Sequence, residues 1–453
     1  MTLAAWLIQS EPNAGREDSV RQQWEERLRL HHHELLALAH GAFEGGDQEL
    51  GLKMTQLAMN MVATRKGVIQ LGEQYRITGR YEEAAHQFRR AIYELGDASD
   101  PTPLYLLAIS EAALGRLDEA AKLLAAYMHV NSKHPVGWYF LASLYASLER
   151  FADAQAIFAE AHPVPLGEDR FTNTRVVSFH PERPAADHAL HGRAVTWDRA
   201  RTAKRLDDAE LVQFIACDSR YFMLFAESVL RSAARNAGVG IGVHFHVINP
   251  DADALNLIQR LDASERPVVF STETVDLNAL SIDERKTYYS CSRFFLLPEI
   301  LDNYGKMVLV TDADQLIMQS LTSTLETLKA KDVGLLLFEM ARFNILSLIS
   351  ASVFFAAPTT GGRAFATHTR DYLLGMAADR ENLSWHLDQA ALAVTYLSGP
   401  KVEAQLLPPT IMESKSAALS SNSAAPEAVF WSVTFSQSQN AAKLDGDIFQ
   451  QYT

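Results

Sequence analysis

The sequence predicts an N-terminal solenoid of helical repeats followed by an α/β domain. A landmark of Gly, then an aromatic residue or Leu, then Ala recurs early in the chain. Its steps are 36 residues from Ala84 to Ala120 and 34 residues from there to Ala154. From Leu211 onward, short apolar runs alternate with helical stretches. The chain has 453 residues, more than a single hydrophobic core usually reaches, so two or more domains are expected.

The amino-acid composition indicates a globular protein and disfavours some kinds of binding partner. Hydrophobic residues make up 48% of the chain and aromatic residues 9%, which is enough for a packed core. The formal net charge of −14 argues against binding of nucleic acid or of anionic lipid through nonspecific charge. A phosphate-bearing ligand would therefore need local positive charge. Cys217 and Cys291 are the only cysteines, which predicts no disulfide framework and is compatible with a reducing compartment.

The N-terminus does not have the pattern of a secretory signal. Residues 1–18 lack a basic segment ahead of a long apolar one. No run in the chain approaches the roughly 20 apolar residues needed to span a bilayer. We therefore expect a cytoplasmic protein without a transmembrane segment.

The repeated landmarks predict paired helices. The three triplets are Gly79, Tyr81 and Ala84, then Gly115, Leu117 and Ala120, then Glu149, Phe151 and Ala154. Small residues let paired helices approach closely, whereas large ones such as Tyr75 and Phe88 fill the groove between units. This order resembles the tetratricopeptide repeat family. The resemblance implies a stack of helical hairpins with a concave surface that binds peptides.

Two features border the repeats. The adjacent histidines 31–33 are expected to be solvated or partly packed and not to bind a metal, because neighbouring helical residues do not share a face. Between residues 162 and 200 the periodicity fades and prolines interrupt any long helix. We place the repeat domain at 1–165, a linker at 166–205 and the α/β domain at 206–453.

The second part contains six strand-like runs. They are 211–216, 243–248, 267–270, 306–310, 333–338 and 352–356. Nearly continuous apolar strands that alternate with helices predict a largely parallel sheet covered on both faces. Ligands of such sheets bind beyond the carboxyl ends of the strands. Residues that follow these strands are therefore the candidates for a site.

Two carboxylates follow the strand at 306–310. Asp312 and Asp314 are two residues apart, so in an extended segment they would project to the same side and converge on one cation. Hard oxygen ligands suit Mg2+ or Mn2+. The short motif is weak evidence by itself, because it also occurs in solvated turns.

Further candidates lie at the same edge of the predicted sheet. Asp218 and Tyr221 follow the first strand, Arg293 lies in an otherwise apolar helix, and Asp388 and Gln389 begin a later helix. Each has a structural alternative. Both aspartates are placed to cap helices, and the tyrosine ring is suited to core packing.

Arg293 also has an alternative role as a structural ion pair. An arginine among apolar residues needs an acidic partner. Glu299 and Asp302, which follow Arg293 in the chain, are the partners that this alternative predicts.

In this order, the motifs of residues 210–435 resemble the nucleotide-diphospho-sugar transferase fold, a Rossmann-like GT-A domain. The resemblance is strongest to retaining transferases related to glycogenin and to lipopolysaccharide galactosyltransferases. It implies that Asp218 and Tyr221 contact the nucleotide base and that Arg293 helps to hold the donor. It also implies that Asp312 and Asp314 bind Mn2+ at the donor diphosphate.

The resemblance further implies that Asp388 and Gln389 lie near the donor sugar and the reaction centre. Two segments depart from the family. Relatives supply a third metal ligand, a histidine, from a late strand, but residues 428–440 contain none, so Ser436, Gln437 or water would replace it. An Asn-Ala-Gly segment of the family is replaced by the Ser-Ala-Ser of residues 350–352.

Together these patterns predict a metal-dependent hexosyltransferase. We expect a nucleotide-diphosphate sugar as donor, in the form of a UDP-sugar, with Mn2+ or Mg2+ as cofactor. The acceptor is expected to be a protein docked by the repeats, with a glycan or lipid-linked acceptor as the lesser option. The alternative is an inactive scaffold whose repeats bind a partner protein. A nucleotidyltransferase is disfavoured because the first strand-to-helix turn has no Gly-rich loop.

Overall fold

The computed structural model describes the chain in nine stretches. These are residues 30–96, 100–132, 134–161, 177–179, 193–337, 345–346, 348–408, 411–414 and 428–432. The chain divides into two compact units, residues 1–137 and residues 138–453. The predicted limits at 165 and 205 stay a prediction, since most of residues 162–192 lie outside the described stretches.

Helical hairpins begin the described chain. The helices are α1 (residues 30–44), α2 (Gln48–Met61), α3 (Arg65–Ile77), α4 (Tyr81–Tyr93), α5 (Thr102–Ala113), α6 (Leu117–Val130), α7 (Pro135–Ser147) and α8 (Phe151–Ala161). Gly79 and Gly115 turn the chain between paired helices with positive φ angles of 76° and 77°. Glu149 takes the same role in the third repeat with a φ of 58°. The predicted repeat solenoid is confirmed.

Close packing inside the hairpins explains the small residues of the landmark. A methyl group at Gly72 would lie 2.6 Å from a ring carbon of Phe88, so only glycine fits there without a shift. Ala84 and Phe88 are fully buried. In the histidine tract, His32 is buried and contacts the Ala58 carbonyl oxygen at 3.1 Å, which is the packing role expected for it.

An eight-stranded mixed sheet forms the centre of the second unit. The strands of the chain are β1 (Ala194–Thr196), β2 (Leu211–Asp218), β3 (Ile241–Ile248), β4 (Val268–Thr274), β5 (Met307–Thr311), β6 (Gln315–Ile317), β7 (Val333–Leu337), β8 (Ile349–Ala356), β9 (Ala404–Leu407), β10 (Met412–Ser414) and β11 (Phe430–Ser432). The large sheet has the order β1-β4-β3-β2-β5-β8-β7-β9, and β10-β11-β6 form a small second sheet. All six predicted strands are present.

The direction of β8 differs from the expectation of a largely parallel sheet. It runs antiparallel to both β5 and β7. Only 11 residues separate the end of β7 from the start of β8, and a parallel return usually needs a crossover of a dozen residues or more. Strands β4, β3, β2 and β5 are parallel, as predicted.

Helices cover the sheet of the second unit. They are α9 (Arg199–Arg205), α10 (Ser219–Asn236), α11 (Ala252–Asp262), α12 (Ile282–Phe295), α13 (Leu297–Tyr304), α14 (Thr322–Leu328), α15 (Thr360–Ala377) and α16 (Leu387–Ser398). Strands β2, β3, β5 and β7 are buried along almost their whole length, which explains their continuous apolar runs. No described helix has the length and apolar character needed to cross a membrane.

The helices of the third repeat pack into the core of the α/β unit. Tyr139 and Phe158 are buried in the same hydrophobic cluster as residues of the sheet and of α15. The Ser143 hydroxyl accepts a hydrogen bond from the Ile345 backbone N–H at 3.0 Å. Residues 138–161 therefore act structurally as part of the second unit, although their sequence has the repeat pattern.

Candidate functional site

Arg293 lies at the centre of the candidate site. It is 3% exposed, near the end of α12. Its Nη1 donates to Oδ1 of Asp312 and its Nη2 donates to Oδ2 of Asp388 at 2.9 Å. Its Nε donates to the Ser290 carbonyl oxygen at 2.9 Å. One guanidinium thus joins two acids that are 76 positions apart in the chain.

The acids that the sequence suggested as structural partners of Arg293 have other partners. Glu299 pairs with Arg370 at 3.4 Å. Asp302 pairs with Arg363 at 2.7 Å. The expected pairing with either acid is therefore wrong. Separation along the chain suggested acids on or near the same helix. It does not reveal that Arg293 contacts Asp312 and Asp388, which belong to other elements at the edge of the sheet.

The acidic pair occupies a turn and not an extended segment. Asp312 and Asp314 lie between β5, which ends at Thr311, and β6, which begins at Gln315. The Asp312 backbone N–H donates to the Gln315 side-chain oxygen at 3.3 Å, which closes the turn. The strand alternation assumed for the pair is therefore not what brings the two carboxylates together.

The two carboxylates affect each other electrostatically. Burial, together with the charge of Asp312, raises the pKa of the Asp314 carboxyl to about 8. Burial also raises the pKa of Asp312, against the lowering effect of the neighbouring Arg293 charge. A partly buried acid beside a second acid favours a proton or a cation. The Asp312 side chain remains 36% exposed, so a ligand has access to it.

These residues fit a hard divalent cation in part. Two carboxylates are a donor set that suits Mg2+ or Mn2+, which commonly keep waters and bind substrate phosphates. Within the described stretches, no group of three or more histidine, cysteine or acidic side chains forms a metal shell. Ser436 and Gln437, which the sequence suggested as replacement ligands, lie outside the described residues.

Asp388 lies in the first turn of α16 and is 6% exposed. Its Oδ1 accepts a hydrogen bond from the Gln389 backbone N–H at 2.9 Å, and its Oδ2 accepts from Arg293. The N-cap position is occupied by His386, which has a left-handed conformation with φ 73° and makes no side-chain capping hydrogen bond. Asp388 is therefore not the helix cap of the structural alternative. It is a carboxylate fixed between a helix N-terminus and a guanidinium.

Asp218 and Tyr221 lie where β2 passes into α10. The Asp218 Oδ1 accepts from the Tyr221 backbone N–H at 2.9 Å, so the capping role is present. Tyr221 is 36% exposed and its ring lies 5.5 Å from that of Phe225. Burial raises the pKa of Tyr221, and the charge of Asp314 raises it further. Tyr221 therefore lies within electrostatic range of the acidic turn.

A cavity that sequence reasoning missed opens at the same sheet edge, with a volume of about 310 Å³. It is lined by Asn249, Thr274, Val275, Asp276, Leu277, Asn278, Arg285 and Tyr289. Burial raises the pKa of Tyr289 and the Asp218 charge raises it further, which indicates that the cavity lies near the end of β2. The feature of the sequence that points to this cavity is Asn249, a polar residue directly after the apolar strand 243–248.

Asn249 holds the wall of this cavity. Its backbone is left-handed, with φ 49°. Its Oδ1 accepts from the Val275 backbone N–H at 2.9 Å, and its Nδ2 donates to the Val275 carbonyl oxygen at 2.8 Å. The side chain thus acts as a clamp between the end of β3 and the segment after β4.

The Ser-Ala-Ser segment lies beside the acidic turn. The Ser350 and Ser352 hydroxyls are 2.6 Å apart. Ser352 donates to the Met412 thioether at 3.0 Å, and Gln315 donates to the same sulfur at 3.4 Å. The start of β8 is thereby connected to the residue that follows Asp314.

Comparisons with known proteins give structural neighbours at low similarity. YrrB, a tetratricopeptide repeat protein with an unusual peptide-binding site, is 17% identical over 28% of this chain and 66% of its own, with a TM-score of 0.26. An O-GlcNAc transferase of Thermobaculum terrenum is 16% identical over 59% of this chain and 45% of its own, with a TM-score of 0.28. The galactosyltransferase LgtC, in complex with donor and acceptor sugar analogues, is 13% identical over 53% of this chain and 94% of its own, with a TM-score of 0.38.

These neighbours include both repeat proteins and transferases. The chain spans just under two thirds of YrrB and less than half of the O-GlcNAc transferase. Likenesses of this size say nothing about substrate or reaction. No protein-family model and no curated protein matches the sequence.

Proposed function

We propose that the second unit transfers a hexose from a nucleotide-diphosphate donor to an acceptor hydroxyl, with the help of a divalent cation. The observation that carries the proposal is the bridge of Arg293 between Asp312 and Asp388. It joins a turn that carries two carboxylates to a buried carboxylate, at the edge of the sheet where ligands of α/β domains bind.

The proposed reaction exchanges one bond at the anomeric carbon for another. The bond from this carbon to the diphosphate oxygen breaks, and its electron pair leaves with the diphosphate. A bond to the acceptor oxygen forms, and the acceptor proton passes to a base or to the departing phosphate. The step therefore needs positive charge at the diphosphate and negative charge near the sugar ring.

Asp312 and Asp314 are the residues proposed to hold Mn2+ or Mg2+. The ion, when bound, supplies Lewis-acid stabilisation of the departing diphosphate. Arg293 adds a fixed charge whose planar fork suits phosphate oxygens. A protein with a net charge of −14 thus obtains local attraction for an anionic donor.

Asp388 and Gln389 are proposed to act at the donor sugar. The buried Asp388 carboxylate would stabilise the positive character that develops at the anomeric carbon. Gln389 is half-buried at the same helix start, and its amide offers both a donor and an acceptor for sugar hydroxyls. Both roles need the donor sugar to lie between α16 and the acidic turn.

The nucleoside is proposed to bind between Asp218, Tyr221 and the 310 Å³ cavity. Asp218 uses one carboxylate oxygen as the helix cap, which leaves the other to accept from a base or ribose. Tyr289 and Tyr221 offer ring faces at this end of the site. A UDP-sugar is the donor expected from the sequence.

Donor turnover is the direct test of this proposal. The full chain would be incubated with a panel of nucleotide sugars and Mn2+ or Mg2+, and slow release of free sugar and nucleoside diphosphate would be measured. Asp312→Ala and Asp314→Ala should each lower hydrolysis by about 100-fold or more, because transition-state charge loses its stabilisation. Asp302→Ala removes an exposed acid outside the site and should leave the rate unchanged.

The result also separates the enzyme from the scaffold alternative. That alternative is favoured by the absence of a histidine from residues 428–440, where relatives supply a third metal ligand. Hydrolysis that depends on both aspartates supports the enzyme. Donor binding without turnover for every sugar and both metals supports the scaffold and contradicts the proposal.

The acceptor is proposed to be a protein that docks on the repeats, and the protein is proposed to act in the cytoplasm. The repeat helices of residues 30–130 carry large apolar side chains on their surface, among them Leu38, Leu57 and Tyr93, which are 64%, 55% and 71% exposed. Exposed aromatic and aliphatic side chains are common anchors of protein contacts.

A further inference from the structure

Gln315 holds the acidic turn at both backbone groups of Asp312. Its backbone N–H donates to the Asp312 carbonyl oxygen at 3.3 Å, and its side-chain oxygen accepts from the Asp312 backbone N–H at 3.3 Å. The first bond closes a four-residue turn, in which aspartate is common at the first position. The second bond requires a long polar side chain at the fourth position, which Gln315 provides.

The side chain of Gln315 replaces a partner that the large sheet does not provide. Strand β5 pairs with β8 up to Thr311, which lies opposite Val353. Asp312 is the first residue past this ladder, so its backbone N–H needs another acceptor. The Gln315 side chain supplies the acceptor from a fully buried position.

A thioether fixes the other end of the Gln315 amide. The Gln315 Nε2 donates to Sδ of Met412 at 3.4 Å, and the Ser352 hydroxyl donates to the same sulfur at 3.0 Å. A thioether can accept a hydrogen bond but cannot donate one, so the amide nitrogen faces the sulfur and the amide oxygen faces the Asp312 N–H. The contacts on the two sides therefore require the same orientation of the amide.

Strand pairing brings Met412 to this place. Strand β10, which begins with Met412, pairs in parallel with β11, and β11 pairs antiparallel with β6, which begins with Gln315. Ser352 directly precedes Val353, the partner of Thr311. The contacts thus form a closed ring through β5, β8, β10 and β6, and the acidic turn is one side of this ring.

Asp312 is consequently held at three of its atoms. Gln315 binds its backbone nitrogen and carbonyl oxygen, and Arg293 donates to its Oδ1. The Asp312 side chain is still 36% exposed, so these contacts do not close it to a ligand. A residue that orients a metal ligand without touching the ion raises the affinity for the ion, because the ligand is already in place when the ion arrives.

We propose that Gln315 is a positioning residue of the proposed cation site. It holds the turn so that Asp312 and Asp314 are placed for Mn2+ or Mg2+ before the ion binds. Met412 keeps the Gln315 amide in the orientation that this role requires. The inference rests on the proposed function, because it concerns the cation of that site.

The test compares four variants of the full-length protein. Gln315→Met keeps the length of the side chain and removes the amide, and Gln315→Asn keeps an amide on a shorter side chain. Met412→Leu removes the sulfur. Gln405→Met is the matched control, because Gln405 is half-buried in β9 at an edge of the large sheet, where its amide donates to the Leu406 carbonyl oxygen at 3.0 Å.

Binding of Mn2+ is measured without donor, from the electron paramagnetic resonance signal of the free ion. For both Gln315 variants we expect the Kd to rise by about tenfold with an unchanged number of sites, as is typical when the support of a metal ligand is lost. Met412→Leu should raise the Kd by a smaller factor, and Gln405→Met should keep the parent Kd. In donor hydrolysis, half-maximal activation should need correspondingly more Mn2+, and saturating Mn2+ should restore the parent rate.

Backbone hydrogen exchange gives a second readout that needs no metal. A peptide that contains Asp312 should exchange faster in Gln315→Met than in the parent protein, because its N–H has lost its acceptor. The same peptide should exchange at the parent rate in Gln405→Met. Equal exchange in all three proteins would contradict the role of Gln315 in the turn.

An unchanged Kd in the Gln315 variants would overturn the inference. A smaller number of sites at an unchanged Kd would also overturn it, since a role in folding alone removes binding-competent protein without changing the affinity. If Gln315→Met shows no cooperative thermal unfolding, Gln315→Asn decides.

Failure of the proposed reaction is recognised separately. A parent protein that binds Mn2+ but hydrolyses no donor contradicts glycosyl transfer, and the comparison of Kd values still tests Gln315. A parent protein that binds no Mn2+ contradicts the cation site and this inference together. Donor hydrolysis with an unchanged Kd in the variants contradicts the inference alone.

Discussion

Arg293 and Asp388 form a buried ion pair, with 2.9 Å between Nη2 and Oδ2. Arg293 is 3% exposed and Asp388 is 6% exposed. The pair joins α12 to α16, and the same guanidinium reaches Asp312 at the end of β5. A buried charge without its partner is strongly unfavourable, so these three elements depend on one arginine for their local order.

Replacement of Arg293 should therefore affect both stability and donor binding. We expect Arg293→Met to lower the free energy of unfolding by about 3–5 kcal/mol, because it leaves two acids without a compensating charge. Urea denaturation measures this change. Adding Asp388→Leu to Arg293→Met should recover part of the stability, whereas an additive further loss would contradict the pairing argument.

Buried histidines of the sheet predict that the stability of the core is sensitive to acid. A chain of hydrogen-bonded groups runs from Tyr304 to Glu273, with successive contacts of 2.8, 2.8, 2.8 and 2.9 Å. Its members are Tyr304, His244, Ser271, His246 and Glu273, followed by Tyr288, with Arg193 beside Glu273. All of the first five except Tyr304 are exposed by 1% or less.

Burial lowers the pKa of both His244 and His246 below the usual 6.5. Since the folded pKa is the lower one, the unfolded chain binds more protons below about pH 6.5. The stability that comes from keeping these two histidines neutral is therefore fully present above about pH 6.5, and it is lost as the pH falls below this value. We expect a loss of up to about 1.4 kcal/mol per pH unit for each histidine.

Denaturant unfolding at several values between about pH 5 and pH 8 checks this pH dependence. His244→Gln removes one titrating group and should make the slope of stability against pH shallower. A slope that is unchanged in this variant would show that other groups cause the acid sensitivity.

The place of the third repeat predicts where the chain can be shortened. A chain that starts at residue 135 keeps α7 and α8, and it should fold and hydrolyse donor. A chain that starts at residue 166 loses Tyr139 and Phe158 from the core cluster. The loss of each buried aromatic side chain should lower the free energy of unfolding by about 3–5 kcal/mol. It should show no cooperative thermal unfolding.

The two truncations also test the proposed docking role of the repeats. The chain from residue 135 should lose transfer to the protein acceptor, while its donor hydrolysis persists. Transfer with an unchanged acceptor KM would show that the first unit does not dock the acceptor. Circular dichroism of both chains separates a lost interaction from a lost fold.

Asn249 should control the donor cavity through its two hydrogen bonds to Val275. Asn249→Ala removes the clamp. It also places alanine at a left-handed φ of 49°, which alanine tolerates less well than asparagine does. Asn249→Gly removes only the clamp, since glycine tolerates this φ. We expect both to raise the donor KM by about tenfold, and only Asn249→Ala to lose a further ~1 kcal/mol of stability.

Kinetics and denaturation together separate the two effects. If Asn249→Gly keeps the parent donor KM, the clamp does not position the donor cavity. Asp302→Ala, which removes an exposed acid outside the site, serves as the control and should keep the parent donor KM.

Local patterns in the sequence were sufficient for much of the fold. The regular spacing of Ala84, Ala120 and Ala154 reflects helix pairs that pack on their neighbours. Each repeat needs small residues at the same positions for this packing, so the pattern recurs in the sequence. The runs at 211–216 and 243–248 are apolar because both faces of the strands are covered. Asp218, Asp312 and Asp388 are candidates because of their positions at strand ends and a helix start, and Arg293 because it lies in an otherwise apolar helix; their chemical roles stay a prediction.

Contacts between distant segments were not predictable in the same way. The partners of Arg293 are 19 and 95 positions away. Glu299 is nearer along the chain, but it pairs with Arg370. At the cavity, the Asn249 side chain holds the segment after β4. The position of Asn249 after an apolar strand is visible in the sequence, but the segment that it contacts is not.

The sequence by itself determined the repeat helices, the strands of the sheet and the order of the acidic motifs, because each depends on residues close together along the chain. Tertiary structure alone decided that β8 runs antiparallel, that the third repeat packs in the α/β core and that Arg293 joins Asp312 to Asp388. These features depend on which surfaces meet after folding, and burial then selects the partner that a charge or an apolar face requires.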